Sequence, residues 1–181
     1  TALNDEATLG MVRAETFQVY REAIVGEFTR AGMRESYLRE VVNWLAHHLG
    51  QEFDYRDIAA ATDIGSKDTA RNYVDNLEAS YLVRVHYRTP TIKKLAPAFR
   101  GSKKIHPLDP LLWHLVRAWA AADPDPWPAV VASLQRPDEV GHLVESVVAT
   151  HLRRAFGGQV YYWRPDNRRE IDFVLSPPGA A

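Results

Sequence analysis

Near its C-terminal end the chain sets three carboxylates where they could share one task. Glu170 and Asp172 stand two residues apart in RREIDFVL, so on a strand both project from one face together with Val174. Glu145 lies in PDEVGHLVESVVATHLRRAF, where Val140, Val144, Val147, Val148, Leu152 and Ala155 recur at helical spacing. On that helix Glu145 falls at the margin of the apolar stripe, and a carboxylate there needs a cation, a metal or a capped backbone as partner. Such an oxygen-rich cluster would suit Mg²⁺ or Mn²⁺. The plainer alternative puts the acids on the solvent side of a hairpin, paired with Arg164, Arg168 or Arg169. His142 and Glu145 also form a His-x-x-Glu pair on one helical face, a spacing used in carboxylate-bridged metal sites, but no second such motif accompanies it.

The elements that must carry these residues follow from pattern. A helix over 137–156 is stopped by Gly157-Gly158. QVYYWR is a strand, PDNR a turn, and 169–175 a returning strand with Ile171, Phe173 and Leu175 on its other face. Before them, Lys104 to Leu108 reads as a short strand. Asp109-Pro110 opens a helix in the favoured cap-then-proline order, burying Leu112, Leu115, Val116 and Trp119. DPDPWP, residues 123–128, predicts a rigid connector, since three prolines leave few donors.

The middle of the chain predicts a helix-turn-helix closed by a β-wing. Asp54 caps a short helix with Asp57 three residues on. Gly65 supplies the positive φ of a tight corner, and Ser66 caps a second helix. That helix turns Ala70, Tyr73, Val74 and Leu77 inward and Lys67, Asp68, Arg71, Asn72 and Asp75 outward. Residues 82–88 form a strand, and Thr89-Pro90 bends it back toward Thr91–Lys94. From Ala79 to Leu108 there is no acid, yet seven cations occur: Arg84, Arg88, Lys93, Lys94, Arg100, Lys103 and Lys104. In a chain of net charge −1 this segregation is the clearest electrostatic signal. Were most of them to meet phosphates, affinity would fall with a log–log salt slope of roughly −4 to −6. Lys67 and Arg71 would approach the groove; Arg84, Arg88, Lys93 and Lys94 would hold phosphates. Asp68, Asp75 and Glu78 on the same helix weaken specific readout, so a winged helix that binds only protein stays open, and oligomerisation with it.

Two further helices precede this unit, over 6–31 with Phe17, Tyr20, Ile24 and Phe28, and over 35–49 with a wide apolar face. His47 and His48 read as partners of the second helix's C-terminal dipole. The chain has 181 residues, 46% of them hydrophobic, enough for one core or two small ones. It has no cysteine, which excludes disulfides and thiolate metal sites and fits a cytoplasmic location. No leader or spanning stretch is visible, so no membrane partner is expected. Both ends read as cut from something longer.

The order of elements, with SKKIHPLDPLLWHLV, then GHLVESVVATHL, then VYYWRPDNRREIDFVL, resembles the C-terminal region of archaeal and bacterial AAA+-type ATPases. The resemblance covers about Tyr20 to Leu175. It implies an α+β, mostly helical fold: a winged helix-turn-helix followed by a truncated PD-(D/E)XK-like, restriction-endonuclease-like domain. Residues 1–34 would be a helical linker from an upstream ATPase domain, 35–100 the winged helix, and 101–181 the endonuclease-like part, incomplete at its C-terminus. Glu145 matches the helical acid of that frame and Asp172 the strand acid; the Glu-x-Lys element is absent, so no cleavage is expected from this chain. ATP and Mg²⁺ would belong to the upstream domain, which would also be a partner. Gly65-Ser66-Lys67-Asp68-Thr69 lacks the leading glycine and the Gly-Lys-Ser/Thr core of a P-loop. The expected function is a non-catalytic module that binds double-stranded DNA or regulates the ATPase. The alternatives are a metal-dependent endonuclease using Glu145 and Asp172, with Mg²⁺ held between them, and a protein-interaction scaffold.

Overall fold

Alternation along β2 decides how the rest is layered. A computed structural model describes residues 13–123, 125–157, 160–166 and 168–175; the start of the expected first helix, Pro124, the glycine and glutamine after Gly157, and Asn167 lie outside them. The elements are α1 (Ala14–Arg30), α2 (Glu35–His47), α3 (Tyr55–Ala61), α4 (Lys67–Ala79), β1 (Val83–Tyr87), β2 (Lys103–Pro107), α5 (Pro110–Ala120), α6 (Trp127–Leu134), α7 (Pro137–Phe156), β3 (Val160–Asp166) and β4 (Arg169–Leu175). Among the described residues the fold is α+β, 56% helical, with two small antiparallel sheets.

β1 and β2 pair with Arg84 opposite His106 and His86 opposite Lys104. Because successive side chains point to opposite faces, Val83, Val85 and Ile105 enter a core shared with α2, α3, α4 and α5. Arg84, His86, Lys104 and His106 face the other way, toward α7 and the β3–β4 hairpin. Sheet β1–β2 is thus a middle layer, and all five residues of β2 are buried. In the helical layer α2 contributes Leu38, Val41, Val42 and Leu45, each at most 1% exposed; full burial of such side chains is worth about 1.5–3 kcal/mol apiece.

The local signals for α3, α4 and α5 act as expected. Asp54 and Asp57 form a reciprocal capping box; Thr69 N–H donates to Ser66 Oγ at 3.3 Å and Leu112 N–H to Asp109 Oδ1 at 3.1 Å. Gly65 has φ +65° at the corner between α3 and α4. His47 and His48 donate from Nδ1 to the Asn43 and Trp44 carbonyls, both at 2.7 Å.

Four expectations need correction. The strand returning to β1 is β2, not Thr91–Lys94. Thr89 Oγ1 donates to the Thr91 carbonyl at 2.9 Å and accepts from Ala96 N–H, while Lys93 N–H donates to Thr91 Oγ1. These side-chain bonds offer the backbone an alternative to a ladder, so residues 88–102 form a long loop. The division expected at residue 100 therefore cuts between two paired strands, and α5 packs on α2 as well. Trp127 and Pro128, expected in the rigid connector, instead open α6, which takes Pro128 into its first turn, where a missing N–H costs nothing. Finally, α7 buries Leu143, Ser146 and Ala149, while Val144, Val147 and Val148 are 56%, 40% and 40% exposed. The narrower stripe of small residues lets α7 sit close on β2, and the valines face outward.

Candidate functional site

The seven cations of the acid-free window meet two fates. Lys103 is 1% exposed, its ammonium 4.4 Å above the Tyr55 ring and 3.9 Å from Asp54, donating to the Gly101 carbonyl at 2.9 Å. Burial holds its pKa below the ordinary lysine value against the pull of Asp54. Lys104, on the opposite face, donates to Glu170 and, at 3.0 Å, to Asp172. Burial works against this charge too, but the two carboxylates outweigh it and raise the pKa. Arg84 pairs with Glu78 at 3.1 Å. It points to the α7 side of the sheet, beside Arg153.

Arg88, Lys93, Lys94 and Arg100 remain, all in loop 88–102. Among the described residues the window's ion pairs are those of Arg84, Lys103 and Lys104, and none involves these four. Lys93, Lys94 and Arg100 are exposed and Arg88 is half-buried. Exposed beside them are Ile92 and Phe99, at 50% and 68%. The loop is anchored at its root: Thr89 N–H donates to the Tyr162 carbonyl and Ala98 N–H to that of Arg88. Phe99 meets the Tyr87 ring edge-on at 5.2 Å.

That root adjoins the outer face of α4. Burial, then Glu78 and Asp75, raise the Tyr87 pKa while Tyr55 and Arg71 oppose them, so charges on α4 lie within electrostatic reach of the end of β1. On α4 itself Lys67 pairs with the mostly buried Asp54 and Arg71 with Asp75, each at 3.3 Å, and only the second pair is exposed on both sides. Surface pairs of this kind contribute about 0–1 kcal/mol, little enough for a phosphate to displace. Asn72 is exposed and its Oδ1 accepts from Asn76 at 3.3 Å.

Glu170 and Asp172 do project together, as their spacing requires, but onto Lys104. Arg164 extends the chain of charges, lying 3.2 Å from Glu52 and 3.7 Å from Glu170. The sequence Glu52–Arg164–Glu170–Lys104–Asp172 thereby ties the hairpin to β2 and to the head of α3. Glu145 contacts His142 across 3.8 Å, and among the described residues no contact joins it to Asp172. Nor do three acids or histidines among those residues converge as a metal ion would need. Among the described residues, then, the expected Glu145/Asp172 frame for Mg²⁺ is not brought together: the Lys104 ammonium lies between the strand acids, and Glu145 faces His142.

Between the hairpin and β1–β2 lies a buried aromatic cluster. The His86 and His106 rings sit 4.9 Å apart at 75°, and Phe173 closes over both. Burial lowers the pKa of His86 to about 3 and of His106 to about 4, with neighbouring positive charge adding to both, so both are neutral at pH 7. Ser146 Oγ reaches His106 Nδ1 at 3.5 Å. Neither histidine nor the role of Lys104 was expected, though strand alternation in KKIHP already separates Lys104 and His106 from Ile105.

A model for a domain of unknown function, DUF8612, matches residues 5–122, which is α1 through α5 with the sheet β1–β2. The chain belongs to the DUF8612 family. Its α7–β3–β4 region lies outside that match, and residues 140–180 match a second domain of unknown function, DUF4143, commonly associated with the C-terminal regions of AAA-type ATPases. No curated protein and no solved structure matches this DUF8612 chain. Among its described residues, no helix is long and apolar enough to cross a membrane.

Proposed function

We propose that residues 35–107 act as a winged helix that holds double-stranded DNA mainly by its phosphates, with loop 88–102 as the wing and the outer face of α4 toward the groove. One observation carries the reading: Arg88, Lys93, Lys94 and Arg100 share a loop without acids, and no described carboxylate neutralises them. Uncompensated cations on one projecting segment are what a polyphosphate surface recognises. Lys67 and Arg71 would add contacts near the start of α4, but Asp68 and Asp75 on that face favour backbone positioning over base readout. Arg84 leaves the contact set, because its side chain faces α7.

The α7–β3–β4 unit is read as a docking and stabilising part, with Glu170 and Asp172 neutralising Lys104 instead of binding metal. The DUF4143 match supports placing the chain beside an ATPase domain, whose ATP and Mg²⁺ would be its own. The test is fluorescence anisotropy with a labelled random duplex. Lys93→Ala/Lys94→Ala should weaken binding about tenfold at low salt, on the order of 1.4 kcal/mol, with an unchanged melting temperature. Equal binding by wild type and variant would reject the wing, and no binding by either would favour a protein partner for this face.

A further inference from the structure

On the α7 side of β1, away from the wing, a cleft of about 510 Å³ is lined by Tyr81, Arg84, Asp109, Thr150, Arg153 and Arg154. Both nearby acids are already engaged. Glu78 accepts from Arg84 and from Val85 N–H, and Asp109 accepts from Leu112 N–H as the cap of α5. Arg153 and Arg154, from the last turn of α7, have no described carboxylate within ion-pair distance. Arg84 also keeps a buried Nε without a hydrogen-bond partner. Burial, then the charge of Arg84, lower the Arg153 pKa, and Glu78, already hydrogen-bonded to Arg84, offsets them only in part.

At the mouth of the cleft Tyr81 is 72% exposed and holds φ +58°. That backbone region is strained for an aromatic residue, and glycine would adopt it freely. A ring kept outward at such a cost in conformation suits a contact it makes with something else.

We propose that this cleft binds a phosphorylated small molecule with a planar ring, of the nucleoside mono- and diphosphate class. The phosphates lie against Arg153, Arg154 and Arg84, which present forked donors, and the ring stacks on Tyr81. The volume falls within the usual range for small-ligand sites. The site does not depend on the wing and shares no residue with it.

Isothermal calorimetry on the full chain with ADP, AMP, pyrophosphate and adenosine tests this. ADP should bind more tightly than AMP or pyrophosphate, and adenosine weakly or not at all. Arg154→Ala and Arg153→Lys should each weaken ADP roughly tenfold, and Tyr81→Ala should weaken ADP while leaving pyrophosphate unchanged. Tyr81→Gly should lose ADP affinity to the same degree yet melt at a higher temperature than wild type, which a purely structural tyrosine would not do. Lys93→Ala/Lys94→Ala should bind ADP as wild type does. No heat with ADP or pyrophosphate, or ADP binding that survives both arginine variants, would overturn the site. Binding lost only in the Lys93/Lys94 variant would also overturn it. Pyrophosphate bound as tightly as ADP, with Tyr81→Ala silent, would overturn the assignment of a ring-bearing ligand.

Discussion

Lys93-Lys94 and Lys103-Lys104 are the same dipeptide in the same acid-free window, and the fold treats them in opposite ways. The first pair is exposed on loop 88–102, with no described carboxylate at hand. The second lies on a strand buried on both faces, where one ammonium rests on the Tyr55 ring and the other between two acids. Charge alone therefore does not make a contact surface. Strand pairing takes a cation inside when acids or an aromatic ring wait there, and a turn held by threonine hydroxyls leaves it outside.

If the buried side of the sheet depends on neutral histidines, acid should undo it first. In the folded chain His86 and His106 take up protons only near pH 3 and pH 4, whereas unfolded histidines do so near 6.5. Between those values the unfolded state binds more protons, so stability is full above about pH 6.5 and falls as pH drops toward 4. For the two histidines together the expected loss is roughly 6 kcal/mol by pH 4, read from urea midpoints across that range. His106→Gln should flatten the dependence, and an unchanged slope would contradict the assignment.

A smaller effect separates the two lysine pairs directly. Lys104→Ala removes the partner of two partly buried acids and should cost roughly 2–3 kcal/mol, less than a fully buried pair because Asp172 is half exposed. Adding Glu170→Gln and Asp172→Asn should recover most of it. Lys93→Ala/Lys94→Ala, by contrast, should shift chemical-denaturation stability by less than about 0.5 kcal/mol. Equal costs for Lys104 and Lys94 would erase the distinction. Smallest of all, Val144→Ser on the outer side of α7 should also stay within about 0.5 kcal/mol.

The valine prediction shows where sequence reading stopped. The caps at Asp54, Ser66 and Asp109, the corner at Gly65 and the inward set Ala70, Tyr73, Val74 and Leu77 were legible because each is a local rule acting within one turn of helix. The stripe of α7 was misjudged because periodicity reports which residues share a face, not which face meets a neighbour. Small residues at 146 and 149 allow a close approach to β2, which proved decisive. The pairing of Glu170 and Asp172 on one face was legible from alternation, but their partner was not. Lys104 lies far away along the chain, on a strand whose pairing with β1 required skipping the whole of loop 88–102.

The central claim is that four loop cations, not seven, form a grip on DNA phosphate. It is tested most directly by the salt dependence of duplex binding, measured for wild type and for the Arg88, Lys93, Lys94 and Arg100 alanine variant. Four phosphate contacts from the loop predict that the log–log slope becomes shallower by roughly 3.6 in the variant, Lys67 and Arg71 keeping the remainder. A wild-type slope near zero, or the same slope in both proteins, would contradict it.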